Sequence, residues 1–174
     1  CSGVTKAIAE NVAVPNGVVM ISPSATSPSL TDINDNGFFF RTAPSDKRGG
    51  QILADITKDR KIKSVAITYE NSDYGKGLSE NVQLGLKAHG IKITANIAHE
   101  NGKADYASEV ATLASAGGDA LAVLGYADQG GKGIIQAALD SGAFDTFILG
   151  DGMIAKSLVA TFGKDLKKSF GSMP

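Results

Sequence analysis

One cysteine and two histidines are all that the sequence holds of the residues that most often bind transition metals or pair as nucleophile and base. A lone cysteine forms no internal disulfide, so the redox compartment is not legible from it. Cys1, His89 and His99 lie too far apart along the chain to give a zinc-ligand spacing. No serine stands in a G-x-S-x-G elbow, and both histidines read as solvated: His89 at a helix end, His99 in a loop beside Glu100 and Asn101. An excess of charge is missing as well, since 17 Lys and Arg against 18 Asp and Glu leave a formal net charge of −1. That balance gives no footprint for nucleic acid or for an anionic lipid surface. No apolar run approaches the roughly 18 residues of a spanning helix, and the first residues carry neither a basic nor an apolar leader region. GGKG at 130–133 and YGKG at 74–77 lack the Walker spacing, and no G-x-G-x-x-G follows a strand, so a nucleotide cofactor is unsupported.

What remains is a globular balance of 43% hydrophobic and 20% charged residues, of a length that suits one ordinary domain. After residue 60 strand-like runs recur at 64–69 (SVAITY), 91–98 (IKITANIA), 119–124 (DALAVL) and 146–150 (TFILG), their starts 27 or 28 residues apart. Helical patterns fill the gaps at 77–89, 106–116 and 133–141, and a further helix is expected at about 155–162. Such alternation predicts an α/β fold, a parallel sheet sandwiched by helices. The front differs. A helix at about 4–12, a strand at 17–22 and a brief strand at 38–41 (FFFR) precede a helix at about 48–60. Two strands build no sheet with two buried faces, so residues 1–42 read as the end of another, incomplete α/β lobe. An initial Cys-Ser-Gly has the form of a lipidated cysteine, but Val4 and Thr5 enter a helical pattern with no linker, which argues against it.

In an open parallel sheet ligands bind beyond the carboxyl ends of the strands. ENSDYGKG places Tyr74 there at a helix start, GYADQGG places Tyr126, and GDGM places Asp151 between two glycines. Each alone has a structural explanation: Tyr74 packing on its helix with Ser72 or Asp73 as cap, Tyr126 as a half-buried edge aromatic, Asp151 as cap of the helix near 155. Their joint placement at three strand ends favours a site. At the front, Ser2 and the amides of the first helical turn would face an anion. Ser24 and Thr26 follow a strand end at the same edge, while Ser27, Ser29 and Thr31 suit turns and caps.

The order CSGVT, VVMISPSATSPSLTD, FFFRTAPSD, VAITYENSDYGKGLSENVQLGLKAHG, ADYASEVATLASAGGDALAVLGY and TFILGDGM resembles the periplasmic solute-binding proteins of the leucine/isoleucine/valine-binding family, over essentially the whole chain. That resemblance implies the type I periplasmic-binding fold: two doubly wound, flavodoxin-like three-layer lobes that clamp a ligand. Residues 1–42 would then be the end of lobe 1, 43–170 lobe 2, and 171–174 a return hinge segment. Matched positions imply that Ser2 and Thr26 bind a ligand α-carboxylate and that Ser24 offers its backbone carbonyl to the ammonium group. They likewise imply that Tyr74 and Tyr126 close over the ligand and that Asp151 pairs with the ammonium, where the type member has glutamate. The implied function is non-enzymatic capture of an amino acid or related small molecule at the extracytoplasmic face of a bacterial cell, with delivery to an ABC transporter permease. A ligand-sensing receptor module of the same fold and a flavodoxin-like enzyme are the alternatives. A fused signalling segment would favour the first, turnover or a bound cofactor the second.

Overall fold

The computed structural model of the chain describes residues 1–173. Its centre is a five-stranded, all-parallel sheet in the order β4-β3-β5-β6-β7, built from β3 (Ser64–Glu70), β4 (Lys92–His99), β5 (Ala120–Leu124), β6 (Phe147–Leu149) and β7 (Phe170–Gly171). The expected four runs are present, and β7 adds a fifth. Residues 170–171, the second of which the resemblance assigns to the hinge segment, pair with β6, Ile148 opposite Phe170 and Leu149 opposite Gly171. Pro174 of that expected hinge lies outside the described residues.

Alternating side chains on β3 and β5 feed two cores, because successive residues of a strand point to opposite faces. Val65, Ile67, Ala120, Ala122 and Leu124 meet Leu53 of α2 (Asp46–Asp59) and Leu78, Val82 and Leu86 of α3 (Asp73–Ala88). Ala66, Leu121 and Val123 meet Val110 and Leu113 of α4 (Ala107–Ala116), Ile134 and Ile135 of α5 (Gly131–Asp140), and Leu158 and Phe162 of α6 (Lys156–Phe162). Both faces are thus covered, as parallel sheets require. Two helices begin where a hydroxyl caps them: Ser45 accepts from the Lys47 amide and Ser72 from the Gly75 amide. Because Ser72 is the cap, α3 starts four residues before the apolar pattern that begins at residue 77.

The front segment is a smaller unit. Its helix α1 (Ser2–Ile8) widens into a π turn over Ala9–Ala13 and tightens over Val14–Asn16 before Gly17 ends it at φ +64°. Strands β1 (Met20–Ser22) and β2 (Phe39–Arg41) pair only with each other, in parallel, and are shorter than the runs read from sequence. A small core of Ala9, Ala25, Leu30 and Phe39 holds them. Contact with the larger unit runs through the turn Pro28–Leu30: the Ser27 hydroxyl donates to the Asp73 carbonyl at 3.1 Å, and the Pro28 ring lies where a Cβ on Gly77 would sit, at 2.8 Å. Glycine at 77 is therefore what lets the front segment seat on α3.

Candidate ligand-binding site

Strand order reverses between β3 and β5, which are neighbours in the sheet while β4 lies to one side and β6 to the other. The crevice beyond such a reversal is where open α/β sheets bind ligands. Tyr74, on the first turn of α3 after β3, and Tyr126, two residues past β5, meet there with ring centroids 5.0 Å apart and planes inclined by 31°. The Tyr74 hydroxyl donates to Asp151 Oδ1 at 2.5 Å and accepts from the Gly152 amide at 3.1 Å. Burial, and then the Asp151 charge, push this phenol well above its ordinary range. Tyr126 is pushed up to about 12 by burial, with Glu70, Asp151 and Asp46 adding to it. Both phenols therefore remain protonated donors at neutral pH.

Asp151 opens a short 3-10 turn, Asp151–Met153, and does not cap α6, whose first residue is Lys156. Its flanking glycines are needed for close approach rather than for unusual dihedrals. Gly150 has φ −66°, yet a Cβ there would lie 2.8 Å from Leu78 Cδ2, and one on Gly152 would lie 2.5 Å from the Gly125 carbonyl oxygen. The sequence G-D-G thus fits a carboxylate between tightly packed walls.

A cavity of about 170 Å³ opens beside this carboxylate, lined by Thr26, Asp46, Ile52, Leu78, Asp151 and Met173 among others. It is smaller than the roughly 300–1,000 Å³ of drug-sized sites, and its lining combines polar Thr26, Asp46 and Asp151 with apolar Ile52, Leu78 and Met173. Thr26 is 2% exposed, and its carbonyl accepts from the Asp46 amide at 2.9 Å. Asp46, the first residue of α2, is 4% exposed. Among the described residues, Thr26 Oγ1 and Asp46 Oδ2 have no hydrogen-bond partner. Asp46 was not singled out from the sequence, because Pro-Ser-Asp ahead of a helix has the form of an ordinary cap and first turn.

Of the six residues singled out, Thr26 and Asp151 line this cavity, Tyr74 stands behind Asp151, and Tyr126 stacks on Tyr74. Ser2 and Ser24 are not among the residues that line the cavity. Ser2 is buried and its Oγ accepts from the Ser27 amide at 3.1 Å, which leaves its O–H free to donate. Ser24 is exposed, and the turn after β1 is held instead by Ser22 Oγ, which accepts from the Ala25 amide at 3.1 Å. Of the hydroxyls assigned to turns, Ser27 bridges to α3, and Thr31 accepts from the Arg41 guanidinium at 2.6 Å.

Neither histidine is a freely solvated side chain: His89 is half-buried and His99 is buried. His89 Nε2 lies 2.6 Å from Asp55 Oδ1. His99 ends β4 rather than lying in a loop and is 1% exposed, with Nδ1 2.8 Å from the Thr68 hydroxyl and its ring edge-on to Tyr106. Burial holds its imidazole down to about 4, against weaker opposing pulls from Glu109 and Glu100. The sequence signal lay in β4 continuing through residue 99, one residue past the predicted strand. Among the described residues no group of three or more His, Cys, Asp or Glu side chains is arranged to hold a metal ion, and no helix is long and apolar enough to cross a membrane.

A family model described as periplasmic binding protein matches residues 1–174. A Leu/Ile/Val-binding protein homolog 1 of Brucella melitensis is 31% identical over 179 residues, covering 99% of this chain and 47% of that protein. The Leu/Ile/Val-binding protein BraC3 of Rhizobium johnstonii is 33% identical over 153 residues, 87% of this chain and 41% of that one. A crystal structure of a leucine-binding protein from Thermotoga maritima superposes with a TM-score of 0.80 at 25% identity, over 92% of this chain and 45% of that one. The chain therefore spans under half the length of these relatives. With a family match along its whole length and a flavodoxin-like parallel lobe to go with it, the chain belongs to the periplasmic binding protein family.

Proposed function

We propose that the full-length protein captures an amino acid with a small apolar side chain between two lobes and delivers it, outside the cytoplasmic membrane, to an ABC transporter permease. The observation that carries this reading is one small cavity with a hydroxyl (Thr26) and a carboxylate (Asp151) beside apolar Ile52, Leu78 and Met173. That is the chemistry of an α-amino acid: a carboxylate that accepts, an ammonium that donates, and a hydrocarbon remainder. The names of the relatives agree with it. In this reading residues 1–42 belong to lobe 1, 43–170 to lobe 2, and the segment from 171 returns between them. Ser2, Ser24 and Thr26 serve the ligand from lobe 1, whereas Tyr74, Tyr126 and Asp151 serve it from lobe 2.

Affinity then comes from closure. Each lobe holds part of the ligand, so only the closed state gains both sets of contacts, and that difference shifts the equilibrium. Charge-assisted hydrogen bonds of roughly 1.5–3 kcal/mol each would orient the ligand, and the apolar wall would select its side chain. Mass spectrometry of the small molecule that co-purifies with the full-length protein tests the reading. A branched-chain α-amino acid is expected, and a ligand without an amino group would overturn it.

A further inference from the structure

Residues 26 to 28 run from the ligand cavity to the side of α3. Thr26 lines the cavity, the Ser27 amide donates to Ser2 Oγ, and the Ser27 hydroxyl donates to the Asp73 carbonyl. The Pro28 ring then lies over Gly77, where a Cβ would meet Pro28 Cδ at 2.8 Å and Ser27 Oγ at 3.3 Å. Gly77 has no positive φ that would call for glycine, and glycine is a poor helix former inside α3. What accounts for it is the space that Pro28 takes. Asp73 and Tyr74 share the first turn of α3, so the turn that the front segment grips is the one that presents the Tyr74 hydroxyl to Asp151.

The contact is slight. Among the described residues two hydrogen bonds join residues 1–42 to the rest of the chain, from the Ser27 hydroxyl to the Asp73 carbonyl and from the Asp46 amide to the Thr26 carbonyl. Beside the seat opens a cavity of about 360 Å³, lined by exposed Asp32, Lys76 and Glu80 among others. Small polar contacts between domains are of the kind that part and re-form. Resting on the function proposed above, in which the front segment and α3 belong to different lobes, we propose that the seat of Pro28 on Gly77 is a closure latch. It is made when the lobes close over a ligand and parted when they open. Neither Pro28 nor Gly77 lines the ligand cavity, so the latch sets affinity without touching the ligand, through the population of the closed state. Bulk at position 77 then disfavours closure while each lobe keeps its own ligand contacts.

The test is calorimetric titration of the full-length protein with L-leucine, L-isoleucine, L-valine and the amine-free 4-methylpentanoate. Gly77→Ala should weaken L-leucine about tenfold, the effect of overpacking a tight contact, and 4-methylpentanoate by the same factor. Its ligand-free denaturation midpoint should not fall, because alanine is the better helix former. Pro28→Ala, which removes the Cδ that a new Cβ would strike, should stay within about threefold of the parent alone and should restore Gly77→Ala to that level. Unchanged affinity in Gly77→Ala, a loss confined to L-leucine, or a loss that Pro28→Ala does not relieve overturns the latch and leaves the proposed function standing. A second measurement needs no change at 77: spin labels on Ser29→Cys and Glu80→Cys, in a Cys1→Ser background, should approach each other when L-leucine is added to ligand-free protein. An unchanged separation overturns the latch even if Gly77→Ala fails to fold. Failure of all three amino acids to bind the unmodified protein overturns the function and the latch together.

Discussion

Phe147 of β6 has no exposed surface, whereas Phe40 of β2, the same side chain on another parallel strand, is 53% exposed. What differs is the company each strand keeps. β6 has hydrogen-bonded neighbours on both sides and side chains in both helical cores, while β2 pairs with β1 alone. Of the eleven large apolar side chains exposed among the described residues, seven fall between Val4 and Phe40, and Val4, Ile8 and Val12 recur at the spacing of one helix face. A pair of strands gains little from its own hydrogen bonds until a face is covered. Residues 43–173 carry their cover within the sequence, and residues 1–42 present an apolar surface.

The sharpest way to break this comparison is to truncate both phenylalanines. Phe147→Ala should cost about 3–5 kcal/mol in urea denaturation, and Phe40→Ala under about 1 kcal/mol in this chain. In the full-length protein the cost of Phe40→Ala should rise to about 2 kcal/mol or more; a value still near zero would mean that nothing covers β2.

A second measurement sets the two units against each other at the ligand. In the full-length protein Asp151→Asn should weaken L-leucine by roughly 2–5 kcal/mol, the range for breaking a buried charge pair, with far less effect on 4-methylpentanoate. Thr26→Val, which removes a hydroxyl from the front segment, should cost roughly 0.5–1.5 kcal/mol. Equal losses of both probes in Asp151→Asn would make that carboxylate structural.

Acid stability separates two buried groups of the larger unit by sign. The native His99 imidazole is held down to about 4 from an ordinary 6.5, so the unfolded chain takes up a proton that the native chain refuses. Its contribution is complete above pH 6.5 and is lost as pH falls towards 4. Asp46, raised from 3.8 to about 7, holds a proton that the unfolded chain releases, so its contribution is complete below 3.8 and is lost as pH rises to about 7. Each is worth roughly 3–4 kcal/mol at most. Denaturation midpoints across pH 4–7 should therefore tilt in opposite directions, relative to the parent, in His99→Gln and Asp46→Asn. A tilt in the same direction would refute one of the two environments. The smallest effect belongs to the bridge between the units: Ser27→Ala removes the hydrogen bond to the Asp73 carbonyl and should cost about 1 kcal/mol.

The parallel sheet was legible because SVAITY and ALAVL alternate between two apolar faces and recur at βα spacing, and both cores take up that alternation. Less legible was whatever depends on a partner distant in sequence. Ser2 shows this, because the amide that donates to its hydroxyl oxygen belongs to Ser27, 25 residues away. His99 was read as solvated since its polar neighbours Glu100 and Asn101 are adjacent in sequence, while Thr68 and Tyr106, which enclose it, are not. Asp46 was passed over because helix-start chemistry accounts for an aspartate there, and only the cavity distinguishes it from an ordinary first-turn residue.

The tyrosine pair beside Asp151 also has an optical consequence. These 174 residues contain no tryptophan and four tyrosines, so their near-ultraviolet emission is phenolic. Two of the four fluorophores are stacked 5.0 Å apart, and one of them donates to a carboxylate, a partner that quenches an excited phenol by drawing off its proton. The lane of the sheet that carries the site is thus the dim half of the chain's spectrum, and a cation that draws Asp151 away from the Tyr74 hydroxyl should make it brighter, an intrinsic signal of occupancy that needs no attached dye.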